Sequence, residues 1–431
     1  MMTKPSMNPK HSFRSQNPVM KQTFLLGIAL LHGCFLGGLM AQSPSPSPSP
    51  VARLMTIPVD SPSYFFSPGN WVGDEGRSGK IFRQTWNPGA YFRVSWSSAS
   101  TNPTAAITMD TSSYPEGINP PKISYNLDGI WKIDVPCDRE IRLEGINSRI
   151  KQHDLTVILQ TSVQTARWGG EGASGSNVMR FTGVQVDEGS IPVPTTPLGK
   201  WALIIGDSIT EGNGATALSS YSYLLAQALH TQGYEYGLSA CGYSGWLARG
   251  DKPPGDVPGY YSVAGSVNGS GGTYNDAESR WNKIDGNRHS LLDADGRLSA
   301  YGGRGQEPAL ILINYGTNDG LRKSNPSDLK ASINQSLEAL RKSAPDALII
   351  VLVPFGQYCA GMLREAVELR RNANPSDSRI SLIDLGPGVA RSLTPKDPKE
   401  RSFGDLHPND RGAANFASLL IPQVMNAMTN R

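Results

Sequence analysis

Continuous apolar runs, each about the length of one strand, dominate the second half of this 431-residue chain. They lie at residues 201–205, 310–313, 348–353 and 380–383. Amphipathic segments separate them, and one has Tyr221, Leu225 and Leu229 at helical spacing. A strand that is apolar at every position is buried on both faces, as in a parallel sheet covered by helices. The pattern therefore predicts a three-layer α/β domain over residues 200–431. A polar, Gly-rich insertion between residues 248 and 307 predicts long loops near one end of the sheet.

The first half of the chain has a different pattern. Between residues 51 and 191, short runs alternate apolar and polar residues, as in Phe92, Val94 and Trp96, and turn residues separate them. A period of two predicts antiparallel strands, and hence a β-sandwich or jelly roll over 51–191. A Pro-rich connection at 192–199 then predicts the boundary with the α/β domain.

The N-terminus has the layout of an export signal. Basic residues precede an apolar stretch at 24–40, and Ala41 follows. We therefore expect cleavage after Ala41, secretion or a periplasmic location, and no stable membrane insertion afterwards. Lipid anchoring at Cys34 is the alternative, but His32 and the apolar residues beyond Cys34 argue against it. Residues 42–50 alternate Ser and Pro, which predicts an extended tether.

Charge and cysteine content exclude several classes of function. The net charge is +3, without a run of Lys or Arg, so no nucleic-acid surface is expected. Cleavage after Ala41 would leave Cys137, Cys241 and Cys359, which form neither a disulfide framework nor a zinc spacing. The sequence contains no HExxH motif and no Cys/His cluster, so no metal is expected.

Polar clusters follow the predicted strands at the edge where open α/β sheets bind ligands. The clusters contain Ser208, then Gly245 with Trp246, then Asn318, and lastly Asp405 with His407 before the final helix. A serine hydroxyl needs a base to become a nucleophile. Of six histidines, only His407 lies in a turn between a predicted strand and a terminal helix. The sequence thus predicts Ser208 as nucleophile, with a helix cap as the alternative, and His407 as its general base.

Acyl transfer also requires hydrogen-bond donors for the developing oxyanion. The candidates are the backbone N–H of Ser208, the N–H of Gly245 and the side-chain amide of Asn318. Glycine lets the backbone approach a ligand closely, which favours Gly245. Trp246 fits either a sugar-stacking platform or ordinary packing.

These motifs resemble the SGNH/GDSL hydrolase superfamily. The matching blocks are GDSIT with Ser208, SGW with Gly245, GTND with Asn318 and DLHPN with His407. The resemblance implies a flavodoxin-like αβα domain, no cofactor and hydrolysis through an acyl-enzyme.

The position of the triad acid differs between families of this superfamily and indicates which of them this chain resembles. Many superfamily members place this acid three residues before the histidine, where this chain has Gly404. Asp405 lies two residues before His407, and in an extended segment both side chains point to the same side. That spacing, with a β-sandwich in front, resembles the family-two carbohydrate esterases. It implies a deacetylase of acetylated polysaccharides or oligosaccharides, using Asp405 or only a Ser-His pair. The alternatives are a lipase or thioesterase of the same fold and a non-catalytic carbohydrate-binding protein.

Overall fold

The structure is a computed structural model that describes residues 53–74, 81–114, 116–117, 119–160, 168–169, 177–252, 257–286, 289–387 and 406–430. The predicted leader, the Ser/Pro tether and Asp405 lie outside these residues. All the described residues belong to one compact unit, Ala52–Arg431. Within them, no helix is both long and apolar enough to span a bilayer.

The N-terminal part of the described chain consists of antiparallel strands. They are β1 (Leu54–Pro58), β2 (Tyr64–Phe66), β3 (Val72–Asp74), β4 (Phe82–Thr85), β5 (Tyr91–Ser97), β6 (Ala105–Met109), β7 (Lys122–Leu127), β8 (Ile130–Pro136), β9 (Glu140–Arg142), β10 (Gln152–Leu159), β11 (Met179–Asp187) and β12 (Ile191–Val193). One sheet has the order β3-β4-β11-β6-β9, with β1 also on β11. The other has the order β12-β5-β10-β7-β8, with β2 also on β5.

The two sheets share one hydrophobic core, to which Phe92, Val94 and Trp96 of β5 contribute as their alternation predicts. The predicted β-sandwich is therefore confirmed. Two details differ from the sequence pattern. Trp131 and Ile133 of β8 are largely exposed, because β8 is the edge strand of its sheet. Strand β12 extends past the predicted domain end at residue 191, since Val193 still pairs with β5.

The C-terminal part alternates strands and helices. The strands are β13 (Lys200–Gly206), β14 (Tyr234–Ala240), β15 (Val263–Ala264), β16 (Thr273–Tyr274), β17 (Leu310–Asn314), β18 (Leu348–Leu352) and β19 (Ile380–Ile383). The helices are α1 (Ser208–Glu211), α2 (Tyr221–Thr231), α3 (Thr317–Leu321), α4 (Pro326–Ser343), α5 (Ala360–Ala373) and α6 (Asp410–Thr429), with a 3₁₀ turn at Asp276–Glu278. Five strands form a parallel sheet in the order β14-β13-β17-β18-β19. This is the flavodoxin-like order, as predicted, and its switch point lies between β13 and β17.

Alternate residues of β13 enter different cores. Ala202 and Ile204 pack with α2 and α6, whereas Leu203 and Ile205 pack with α4 and α5 on the opposite face. The structure corrects the interpretation of the insertion at residues 248–307. Its residues Tyr260 and Trp281 belong to the core on the side of α4 and α5. The insertion connects β14 to β17, where a crossover helix would otherwise cover the sheet. Its long loops therefore cover that face of the sheet instead of lying only near one end.

The β-sandwich covers the free edge of β14. The Asn70 amide donates to the Leu238 carbonyl at 2.8 Å and accepts from the Leu238 N–H at 3.3 Å, much as a neighbouring strand would. Nearby, the buried carboxylate of Glu235 accepts from the Tyr91 hydroxyl at 2.6 Å and also contacts Arg93. The edge of the parallel sheet is thus satisfied by side chains of the other domain.

Candidate active site

Ser208 and His407 meet at the carboxyl edge of the parallel sheet. Ser208 is the first residue of α1, only 4% exposed, and its Oγ lies 2.7 Å from Nε2 of His407. Asp207 is the residue that caps α1, since its side chain accepts from the Ile209 N–H at 3.0 Å. The Ser208 hydroxyl is therefore not used as a helix cap, and the contact with His407 has the geometry of a nucleophile and its base.

The loop after α1 packs against His407. Gly214 has φ +89°, and a Cβ built on it would lie 2.7 Å from Cβ of His407. The Asp410 carboxylate, at the start of α6, accepts from both the N–H and the hydroxyl of Thr216. These contacts were not predicted from the sequence, because Gly214, Thr216 and Asp410 belong to no catalytic motif.

Burial determines the charge state of His407. It lowers the pKa of His407 below its ordinary value of 6.5, because the imidazolium loses hydration. Among the described residues, no carboxylate contacts Nδ1 of this ring. The neutral, proton-accepting form is therefore favoured at neutral pH.

Asn318 links three of the sequence blocks. Its side-chain Nδ2 donates to the Ser244 carbonyl at 2.9 Å and to Oδ2 of Asp207 at 3.3 Å. The pKa of Asp207 is raised to about 7, chiefly by burial and also by the neighbouring Asp319, while the bond from the Ile209 N–H opposes the rise. The amide thus lies between the nucleophile segment and the segment after β14.

Asp319 fixes the loop after β14. Its carboxylate accepts from the N–H groups of Trp246, Leu247 and Ala248 at 2.8, 3.0 and 3.0 Å. The side chain is buried, which raises its pKa, and the three donors oppose that rise. Asp319 therefore has a structural role, because it holds the backbone of this loop in place.

Two of the predicted site residues have other roles in this structure. The Gly245 N–H donates to the Ala248 carbonyl at 2.9 Å, so it is not free for an oxyanion. Trp246 is fully buried and packs on Tyr260 and Tyr315, so it forms no sugar platform. The positions of both residues have one cause. The N–H groups of the loop after β14 donate to the buried Asp319 carboxylate, and these bonds hold the loop inside the core.

The remaining histidines lie elsewhere. His153 is buried in the β-sandwich, where its Nδ1 contacts Asp128 at 2.7 Å. His289 contacts Asp285 within the insertion, and His230 lies in the last turn of α2. Among the described residues, no disulfide joins Cys137, Cys241 or Cys359. The described residues contain no cluster of three or more His, Cys, Asp or Glu side chains suited to a metal.

We expect Gly245→Ala to destabilise the protein. A Cβ at this position would overlap the Asp319 carboxylate, which three backbone bonds hold in place. Overpacking of this kind costs about 1–3 kcal/mol in the free energy of unfolding, measurable by chemical denaturation. Gly361→Ala in α5 is the matched control, because its Cβ would meet no atom within 4 Å. Equal stability of the two variants would contradict the tight packing at Gly245.

Comparisons with known proteins agree with this geometry. The GDSL-like Lipase/Acylhydrolase family matches residues 204–414. No curated protein matches the sequence. A family two carbohydrate esterase from Cellvibrio japonicus is similar in structure, with 14% identity and a TM-score of 0.58, over 88% of this chain and 99% of that chain.

Two further solved structures have the same architecture. An acetyl xylan esterase from the rumen bacterium Butyrivibrio proteoclasticus has 14% identity and a TM-score of 0.57, over 88% of this chain and 99% of that chain. A family two carbohydrate esterase from Clostridium thermocellum, in complex with cellohexaose, has 15% identity and a TM-score of 0.53, over 85% and 99%. At these identities the likeness establishes the fold.

The residues that match the GDSL-like acylhydrolases include Ser208, Asn318 and His407, and the C-terminal domain is a carboxylic ester hydrolase. The whole described chain, β-sandwich included, has the fold of the family two carbohydrate esterases. The predicted resemblance is therefore confirmed.

Proposed function

We propose that this protein is a secreted serine esterase that removes acetyl or other short acyl groups from carbohydrate esters. The observation that carries the proposal is the 2.7 Å contact between the Ser208 hydroxyl and His407 Nε2. The fold shared with carbohydrate esterases supports the choice of substrate. The apolar stretch at residues 24–40 supports export.

In the first half-reaction, Ser208 Oγ attacks the ester carbonyl carbon while its proton moves to His407 Nε2. The tetrahedral intermediate then breaks its bond to the sugar oxygen, which takes the proton from His407 and leaves as an alcohol. The acyl group remains on Ser208.

In the second half-reaction, water attacks the acyl-enzyme and gives its proton to His407. Collapse of this intermediate returns the proton to Ser208 and releases the acid. We propose that Asp405 orients the imidazole through Nδ1 and stabilises the imidazolium.

The oxyanion requires donors close to Ser208. We assign this role to the Ser208 backbone N–H and to the Asn318 amide. The 2.9 Å bond to the Ser244 carbonyl fixes the amide, whereas the 3.3 Å contact with Asp207 is the weaker one, for which a substrate oxygen can compete.

The insertion favours short acyl groups. Its large side chains Tyr260 and Trp281 are buried against the sheet, so they are not available to line an acyl channel. A lipase or thioesterase of this fold would need such a channel.

The test is acetate release by the exported protein, whose N-terminus is expected at Gln42. We expect it to release acetate from acetylated xylan or glucomannan, with rates on aryl esters that fall as the acyl chain lengthens. A preference for long-chain esters would indicate a lipase or thioesterase instead. Binding of polysaccharide without hydrolysis of any ester would indicate a non-catalytic binding protein.

A further inference from the structure

Among the residues that the structure describes, Arg280 of the insertion is a buried cation without an acidic partner. It is 2% exposed, and its guanidinium donates to the Ser239 hydroxyl at 3.2 Å, to the Ser244 hydroxyl at 3.2 Å and to the Tyr315 hydroxyl. In the described part of the chain, no Asp or Glu lies within salt-bridge distance of it. An unpaired buried charge is costly, so its retention calls for an explanation.

Two tyrosine rings lie close to the guanidinium of Arg280. The guanidinium carbon lies 5.9 Å from the ring centroid of Tyr260 and 5.8 Å from that of Tyr315. Burial raises the pKa of both tyrosines well above the ordinary value, so neither ring supplies a compensating anion. The contacts that hold this cation are hydroxyl groups and aromatic faces.

One of these contacts leads directly to the active site. Besides accepting from Arg280, the Ser244 hydroxyl donates to the Cys241 carbonyl at 2.5 Å. The carbonyl of the same Ser244 accepts the 2.9 Å bond from the Asn318 amide. Arg280 therefore fixes the residue that orients Asn318.

We propose that Arg280 is a positioning residue that acts through Ser244 to hold the Asn318 amide on the developing oxyanion. The inference rests on the proposed function, because it assumes that Asn318 is an oxyanion donor. It gives the insertion a catalytic role in addition to covering one face of the sheet.

The first test compares Arg280→Met with wild type on a short aryl ester. The change removes the charge and the bonds to Ser244 while keeping an apolar side chain among the rings. We expect kcat to fall about ten- to hundredfold with KM within about threefold, because positioning an oxyanion donor affects the transition state. Arg280→Lys keeps the charge but cannot span the same hydroxyls, so it should recover part of kcat.

Lys283→Met is the matched control. Lys283 is a second buried cation of the insertion, three residues further on, but its ammonium donates to the carbonyls of Asp276 and Ser279 and pairs with the Asp276 carboxylate at 3.3 Å. This variant should lower the free energy of unfolding while leaving kcat within about threefold of wild type. A loss of kcat equal to that of Arg280→Met would show that Arg280 only stabilises the insertion, and would overturn the proposal.

A double-mutant cycle with Asn318→Ala provides the decisive measurement. If Arg280 acts through Asn318, Arg280→Met should reduce kcat less than about threefold in the Asn318→Ala background. Full additivity of the two effects would overturn the proposal. The cycle is repeated with Arg280→Lys if Arg280→Met does not fold. Absence of ester hydrolysis by wild type would contradict the proposed function, whereas an active wild type with unaffected Arg280 variants would contradict only this inference.

Discussion

Ser208→Ala should reduce kcat for ester hydrolysis by at least about ten-thousandfold, because the residue supplies the atom that bonds to the acyl carbon. The hydroxyl makes one side-chain contact among the described residues, with His407 Nε2 at 2.7 Å, so its removal should leave the fold intact. The measurement is the steady-state rate on an aryl acetate, with thermal unfolding recorded on the same sample.

Ser336→Ala is the matched control for Ser208→Ala. Ser336 is also buried, but it lies on α4 and its hydroxyl donates to the Ile333 carbonyl within the same helix. We expect wild-type kcat for this variant. Adding His407→Ala to Ser208→Ala should lower kcat little further, because the two side chains act as a unit. Substantial hydrolysis by Ser208→Ala would refute the assignment of the nucleophile.

Asp405→Asn should reduce kcat about 10³- to 10⁴-fold if this carboxylate orients His407. It should also move the acidic limb of kcat/KM to lower pH. A carboxylate beside the imidazolium raises the histidine pKa, whereas burial lowers it. In the variant burial acts alone, so the limb should lie below pH 6.5 and below the limb of wild type. The measurement is kcat/KM across pH for both proteins.

The control for Asp405→Asn is a carboxylate at the same edge of the sheet that binds a different partner. Asp384 follows β19 and binds the Arg364 guanidinium and the Gln357 amide. Asp384→Asn should keep kcat within about threefold of wild type, with an unshifted acidic limb. If Asp405→Asn behaves in the same way, the site works with Ser208 and His407 alone.

Most of the fold could be predicted from local patterns. The runs at 201–205 and 310–313 are apolar at every position and short, and their alternation with amphipathic segments favours strands of a covered parallel sheet. The alternation of Phe92, Val94 and Trp96 likewise predicted a strand of the sandwich. The insertion could not be read in this way, because its aromatic residues have no regular period and their partners lie far away in the sequence.

The sequence predicted the roles of some residues of the candidate site but not of others. The pairing of Ser208 with His407 follows from the order of the blocks along a parallel sheet, which brings strand ends together. The position of Gly245 and Trp246 depends on three hydrogen bonds to Asp319, which no sequence pattern specifies. Arg280 had no signal at all, since an arginine in a polar segment normally lies in solvent. The role of Asp405 stays a prediction.

The hydrogen bonds from Asn70 to β14 make it costly to separate the α/β domain from the β-sandwich. Residues 200–431 carry the described catalytic machinery, yet a fragment cut there would leave the Leu238 N–H and carbonyl unpaired on an open strand. Open strands recruit strands from other molecules, so such a fragment should self-associate. Gene rearrangements that move the catalytic half to a new neighbour would face the same problem. The two halves are therefore expected to be inherited together.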